Sequence, residues 1–171
     1  QIFPNFANLI FEGKASSDKN FQDKINRVLD AKMKPKLVIV KNTPERCLLN
    51  SMARFNEYGR GTTVNIIADF YVNIYNWISE IVEIYEDKVE IGLFDFCNNE
   101  NFEYFNGHQH ISLLKTKETK DEIKEHLLKI VEKEFEAEKI PGLCRLQAKG
   151  IIPDFGDYLG RKDIGGYEKI F

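Results

Sequence analysis

Read as apolar and polar positions, the chain changes period several times, and each change predicts an element. Over residues 36–40, "KLVIV" is a β-branched and aliphatic run bounded by Pro35 and "KNT", the pattern of a buried strand. "TPER" then opens a helix, because Thr43 can accept from the free amides of a first turn and Pro44 sits where a missing N–H costs nothing. Leu48, Met52 and Phe55 form its apolar stripe, and Gly59 suits a left-handed C-terminal turn. "TTVNIIADF" reads as a second strand. From about Tyr71 to Tyr85 the residues Ile74, Ile78, Ile81, Val82 and Tyr85 recur at helical spacing, with Asn73, Asn76, Glu80 and Glu83 opposite them. "KVEIGLFDF" alternates, and after the turn-rich "CNNENFEYFNG" so does "HQHISLLK", which predicts a β-hairpin.

The predicted class is α/β, with elements in the order βαβαββ. Three segments follow from the pattern: residues 1–33, an extension with Phe21, Ile25, Val28 and Leu29 at helical spacing; residues 34–116, the βαβαββ domain; and residues 117–171. The last begins with an amphipathic helix carrying Ile123, Leu127, Ile130, Val131 and Phe135, and ends in a Gly- and Pro-punctuated tail expected to form an extended arm.

Composition narrows the function. The chain has 171 residues, 43% of them apolar, enough for one core plus flanking segments. No run of about 18 apolar residues occurs and the first residues lack the pattern of a secretory signal, so no membrane partner is expected. Cys47, Cys97 and Cys144 are widely spaced and form no CxxC pair, which argues against a disulfide framework or zinc ribbon and for an intracellular setting, nuclear or cytoplasmic. The net charge of −3 conceals an asymmetry. Between Ala31 and Gly61 seven Lys/Arg face two acids, whereas between Asp69 and Glu103 nine acids face Lys88 alone. An anionic partner suits the first region and a basic partner or solvent the second.

The segment from Leu37 to Leu114 resembles the Alba family: a strand ending at Lys41, a helix opening "TPER", a second strand, a long helix and a closing hairpin. The "KNTP" junction looks most like the small Alba-type subunits of eukaryotic RNase P, RNase MRP and telomerase complexes. That resemblance implies an Alba-like two-layer sandwich and a non-catalytic subunit that binds structured RNA. It also implies pairing with a second Alba-type or other protein subunit, through an interface drawn from Ile74, Trp77, Ile78, Ile81 and Tyr85. Lys41 falls where family members meet the phosphate backbone. The chain departs from the family at "IIADFYVN", where Asp69, Phe70 and Tyr71 replace a glycine-containing turn and leave Phe70 or Tyr71 to stack on a base.

The candidate nucleic-acid contacts are therefore Lys36, Lys41, Arg46, Arg54, Arg60, Phe70 and Tyr71. Two alternatives stand beside this reading. One is a protein adaptor of the same fold without nucleic-acid contact. The other is a DNA-nicking endonuclease of the HUH type, because His108 and His110 would share one face of a strand and Tyr158, with Lys162 after it, would supply the nucleophile. The residue between the histidines is Gln109 rather than an apolar one, and no third ligand is evident, so no metal or cofactor is expected. No GxGxxG or Walker pattern occurs.

Overall fold

The computed structural model describes residues 19–97 and 102–153, so Tyr158, Lys162 and the outer parts of both flanking segments lie outside the described residues. Helix α1 (Lys19–Asp30) is followed by strand β1 (Lys36–Lys41), helices α2 (Pro44–Tyr58) and α3 (Val64–Tyr85), strands β2 (Glu90–Asp95) and β3 (Glu103–Asn106), and helices α4 (Lys120–Glu136) and α5 (Gly142–Ala148). Short 3-10 helices occupy Glu86–Lys88 and His108–Leu114. The α/β class therefore holds. The order βαβαββ does not, because the expected second strand is helix.

The chain divides into two compact units, one holding residues 19–41 and 73–115 and the other residues 42–72 and 116–153. Residues 42–72, expected to accompany the sheet, thus belong with the C-terminal helices.

In the first unit β2 is central. It pairs in parallel with β1, with Leu37 opposite Ile91 and Ile39 opposite Leu93, and antiparallel with β3, with Phe94 opposite Tyr104. Alternation gives the sheet two faces. Ile39, Ile91 and Leu93 lie on the inner one and are buried, as are Ile74, Ile78, Ile81 and Tyr85 of α3. The Tyr85 hydroxyl donates to the Gln22 carbonyl at 3.2 Å and to Asn26 Oδ1 at 3.1 Å, which ties α1 to α3. Lys115 places its Nζ 4.4 Å from the ring centre of Tyr75.

The second unit is helical. Its core gathers Leu48, Met52 and Phe55 of α2, Val64, Ile67 and Ala68 of α3, and Ile123, Leu127 and Val131 of α4. Thr43 caps α2 by accepting from the Arg46 amide at 3.3 Å, and Gly59 ends it at φ 66°. Thr119 and Glu122 form a reciprocal capping box at the start of α4.

Three corrections have physical reasons. "TTVNIIADF" has strand-like composition, yet the Thr63 hydroxyl accepts from the Ile66 amide at 3.4 Å, and Val64, Ile67 and Ala68 form a helical stripe buried in the core of the helical unit. Burial of that stripe overrides β-propensity. "HQHISLLK" is a 3-10 helix because the hairpin closes earlier: β3 ends at Asn106, Gly107 turns the chain at φ 107°, and its amide bonds the Ile91 carbonyl at 2.9 Å. The described part of the tail is not an extended arm but includes α5, which buries Cys144, Gln147 and Ala148. A buried polar glutamine interrupts the apolar period there. Arg145 Nε and Lys149 Nζ hold Glu132 of α4 at 2.7 and 2.8 Å, which keeps α5 docked.

Candidate nucleic-acid interface

The outer face of the sheet carries side chains of opposite parity to the buried set: Lys36, Val38 and Val40 from β1, Glu90, Gly92 and Phe94 from β2, and Tyr104 and Asn106 from β3. Val38 is 48% exposed and Val40 64%, on the strand whose Ile39 is buried. Phe102, just before β3, is 58% exposed and Tyr104 43%. Among the described residues this face presents apolar and aromatic groups to solvent.

The rings form one cluster. Phe94 lies 4.6 Å from Tyr104 and 5.7 Å from Phe102 between ring centres, while Phe96 stacks on Phe102 at 5.5 Å. Tyr104 lies across Gly92: a Cβ built there would stand 2.9 Å from its hydroxyl and 3.1 Å from Cε2. The glycine therefore provides the space in which the ring lies along the sheet. Lys36 sits 5.7 Å from the ring centre, and hydrogen bonding to the Tyr104 hydroxyl holds its ammonium pKa above the ordinary value. That same hydroxyl donates to Asn106 Oδ1 at 3.4 Å. Beside it, Lys34 and Glu90 pair at 2.7 Å, which lowers the pKa of the carboxyl.

The candidates read from the sequence fare differently. Lys36 borders the aromatic cluster. Lys41, whose side chain belongs to the inner face, donates to Asp95 Oδ2 at 2.9 Å, with 21% of the lysine and 17% of the aspartate side chain exposed. Burial pushes the Asp95 carboxyl up, but the Cys97 amide and the Lys41 ammonium outweigh it, and its pKa falls. A phosphate at Lys41 would have to displace that carboxylate.

Arg46, Arg54 and Arg60 are exposed, but on the helical unit rather than the sheet unit. Phe70 and Tyr71, expected in a strand-to-helix loop, are half-buried within α3, and Tyr71 packs against the helical core. Neighbouring Asp69 accepts from Lys120 Nζ at 2.8 Å. The expected interface residues Ile74, Ile78, Ile81 and Tyr85 are 0–7% exposed within the single chain, and Trp77 is half-buried. Their apolar surface is already used by the chain's own core.

The histidines do not share a strand face. His108 Nε2 lies 2.9 Å from the Val89 carbonyl, and the His110 ring rests 5.1 Å from Phe105. Among the described residues no three His, Cys, Asp or Glu side chains come together as a metal cluster would require. Burial raises the thiol pKa of Cys144 to about 11 and, with help from Glu45, that of Cys47 as well, so both are protonated and weakly nucleophilic at neutral pH.

The aromatic cluster is what sequence reasoning missed. Its signal was the spacing of Phe94 with Phe96 and of Phe102 with Tyr104, each pair two residues apart on adjacent segments. Assigning the partner strand to residues 108–115 separated those two pairs. No family model matches the chain, and no curated protein matches it in sequence. No described helix is long and apolar enough to cross a membrane.

Proposed function

We propose that this chain is a non-catalytic nucleic-acid-binding protein that holds RNA, as a subunit of a ribonucleoprotein, through the outer face of its sheet. The observation that carries this reading is the clustering of Phe94, Phe96, Phe102 and Tyr104 on an exposed surface beside Lys36. Aromatic faces beside a cation suit bases joined by phosphates, and aromatic sheet surfaces are a recurrent means of holding RNA. Arg46 and Arg54 of α2, and Arg60 in the segment after it, then add salt-sensitive, sequence-independent attraction. The Alba resemblance suggested the same class of ligand, but with a helix in place of the second strand the proposal rests on the sheet face instead.

A protein-adaptor role is favoured by one specific feature, the exposed aliphatic pair Val38 and Val40 on the same face. An apolar partner surface would cover them well.

Ultraviolet crosslinking of the purified chain to a cellular RNA pool, followed by peptide mapping, tests the proposal. Crosslinks are expected within residues 90–106. Crosslinks confined to the helical unit, or none at all together with recovery of a protein partner, would replace it with the adaptor reading.

A further inference from the structure

We infer that the sheet face selects single-stranded RNA, holding at least two unstacked bases on Phe102 and Tyr104, and that Gly92 is the positioning residue that makes the Tyr104 ring available. This deepens the RNA-binding reading and rests on it.

Stacking needs the flat side of a base, which a duplex hides between its neighbours, so exposed rings on a strand surface discriminate by pairing state. Phe102 and Tyr104 are the two most exposed rings of the cluster, and both neighbour Phe94, at 5.7 and 4.6 Å. Phe94 is half-buried and packs against both, Phe96 also stacks on Phe102, and both rings keep roughly half of their surface exposed to solvent.

Charge favours a polyanion at the Tyr104 edge. Lys34 and Lys36 are exposed there against Glu90 alone, and Glu90 is already paired with Lys34. Lys36 also feels the Glu90 carboxylate, but two cations against one carboxylate leave the edge net positive where a phosphate following the Tyr104-bound base would pass. Glu103 points to the inner face, opposite Asp95, and so does not oppose a phosphate on the outer one.

Gly92 enters through sterics. With alanine in its place, the added methyl would meet Tyr104 Oη at 2.9 Å, Cε2 at 3.1 Å and Lys36 Cε at 3.4 Å. The ring would have to tilt off the sheet, taking Lys36 with it, while the strand pairing of Gly92 with Val38 and Asn106 needs no change. Gly92 thus acts through Tyr104, not by touching RNA.

The experiment measures fluorescence anisotropy with a labelled mixed-sequence 12-nucleotide RNA, single-stranded or annealed to its complement. Variants Phe102→Ala, Tyr104→Leu, Gly92→Ala and the double variant Gly92→Ala/Tyr104→Leu are compared. Trp77 emission checks that each variant's sheet unit remains folded. The single strand is expected to bind at least about tenfold tighter than the duplex, and loss of either ring to weaken it about 5- to 150-fold. Tyr104→Leu keeps apolar bulk but removes the aromatic face, so its loss reports stacking. Gly92→Ala should weaken binding in the wild-type background and have no further effect once Tyr104 is leucine. A structural defect would instead add in both backgrounds.

Equal binding of duplex and single strand, or full affinity in the ring variants, overturns the inference while leaving RNA binding intact. Failure of every RNA to bind overturns the function proposed above. A change in self-association on mutating the rings, without a change in RNA affinity, assigns the face to a protein partner and overturns both.

Discussion

The two faces of the sheet should respond very differently to truncation, and Leu93 and Phe102 test this. Leu93 is 1% exposed on the inner face, so Leu93→Ala removes a fully packed side chain and leaves a cavity, at a cost of about 2–5 kcal/mol. Phe102 is 58% exposed, so less than half of its surface is buried, mainly against Phe94 and Phe96. Scaling the usual cost of about 3–5 kcal/mol for a fully buried Phe→Ala change by that fraction gives about 1–2 kcal/mol. With a urea dependence of about 2 kcal/mol per molar, the midpoints should fall by about 1–2.5 M and about 0.5–1 M respectively. The assay is built into the chain. Trp77 is its single tryptophan and lies in the sheet unit, so tryptophan emission against urea reports that unit. A Phe102→Ala shift equal to or larger than that of Leu93→Ala would mean that the outer face is a second hydrophobic core and not a surface kept open for a ligand.

Two further outcomes follow from named contacts. Asp95 has its pKa lowered in the folded chain, so its contribution to stability is present above the ordinary value of 3.8 and is lost as pH falls through the folded value. Lys41→Met should therefore cost about 1–2 kcal/mol at pH 7, by urea unfolding followed at Trp77, and progressively less as pH falls below 3.8 through the folded value; a pH-independent difference would refute the pairing. In the helical unit, Ser51 Oγ accepts from the Thr62 amide and donates to the Thr62 carbonyl at 3.1 Å. Ser51→Ala removes the partner of both groups and should cost about 1–3 kcal/mol by calorimetry, whereas a change below about 0.5 kcal/mol would show that water replaces it.

What could be read in the sequence was whatever repeated locally. The caps and stripe of α2, the amphipathic pattern of α4, the short helix through Ile25 and the strand "KLVIV" all sit where their periods and terminal residues place them. The errors arose where a local pattern was ambiguous and a distant contact decided it. Residues 62–70 carry β-branched side chains at spacings that also fit a helix, and the core of the helical unit selects the helix. Lys41 read as a phosphate contact through the Alba resemblance, and its partner Asp95, 54 residues away, was out of view because no local pattern reveals strand register. The aromatic cluster was half legible: the parity of its residues was visible, but not which two segments pair. In α5 the buried Gln147 concealed a helix whose docking depends on charges that read, along the chain, as ordinary surface residues.

The parallel pairing of β1 with β2 has a consequence for how the protein is made. Leu37 and Ile91 are register partners, as are Lys41 and Asp95, and the latter stand 54 residues apart. A ribosome adding about 5–20 residues per second leaves β1 without its partner for roughly 3–10 s after it is synthesised. During that interval Val38, Ile39 and Val40 form a short β-branched segment with nothing to pair with, while α2 has its caps and stripe in hand as soon as Gly59 is added. Lys34, Lys36 and Lys41 bracket the segment, and flanking like charges discourage two such strands on neighbouring chains from pairing with each other. The lysines that border the sheet in the finished protein would thus first serve as gatekeepers on the nascent chain.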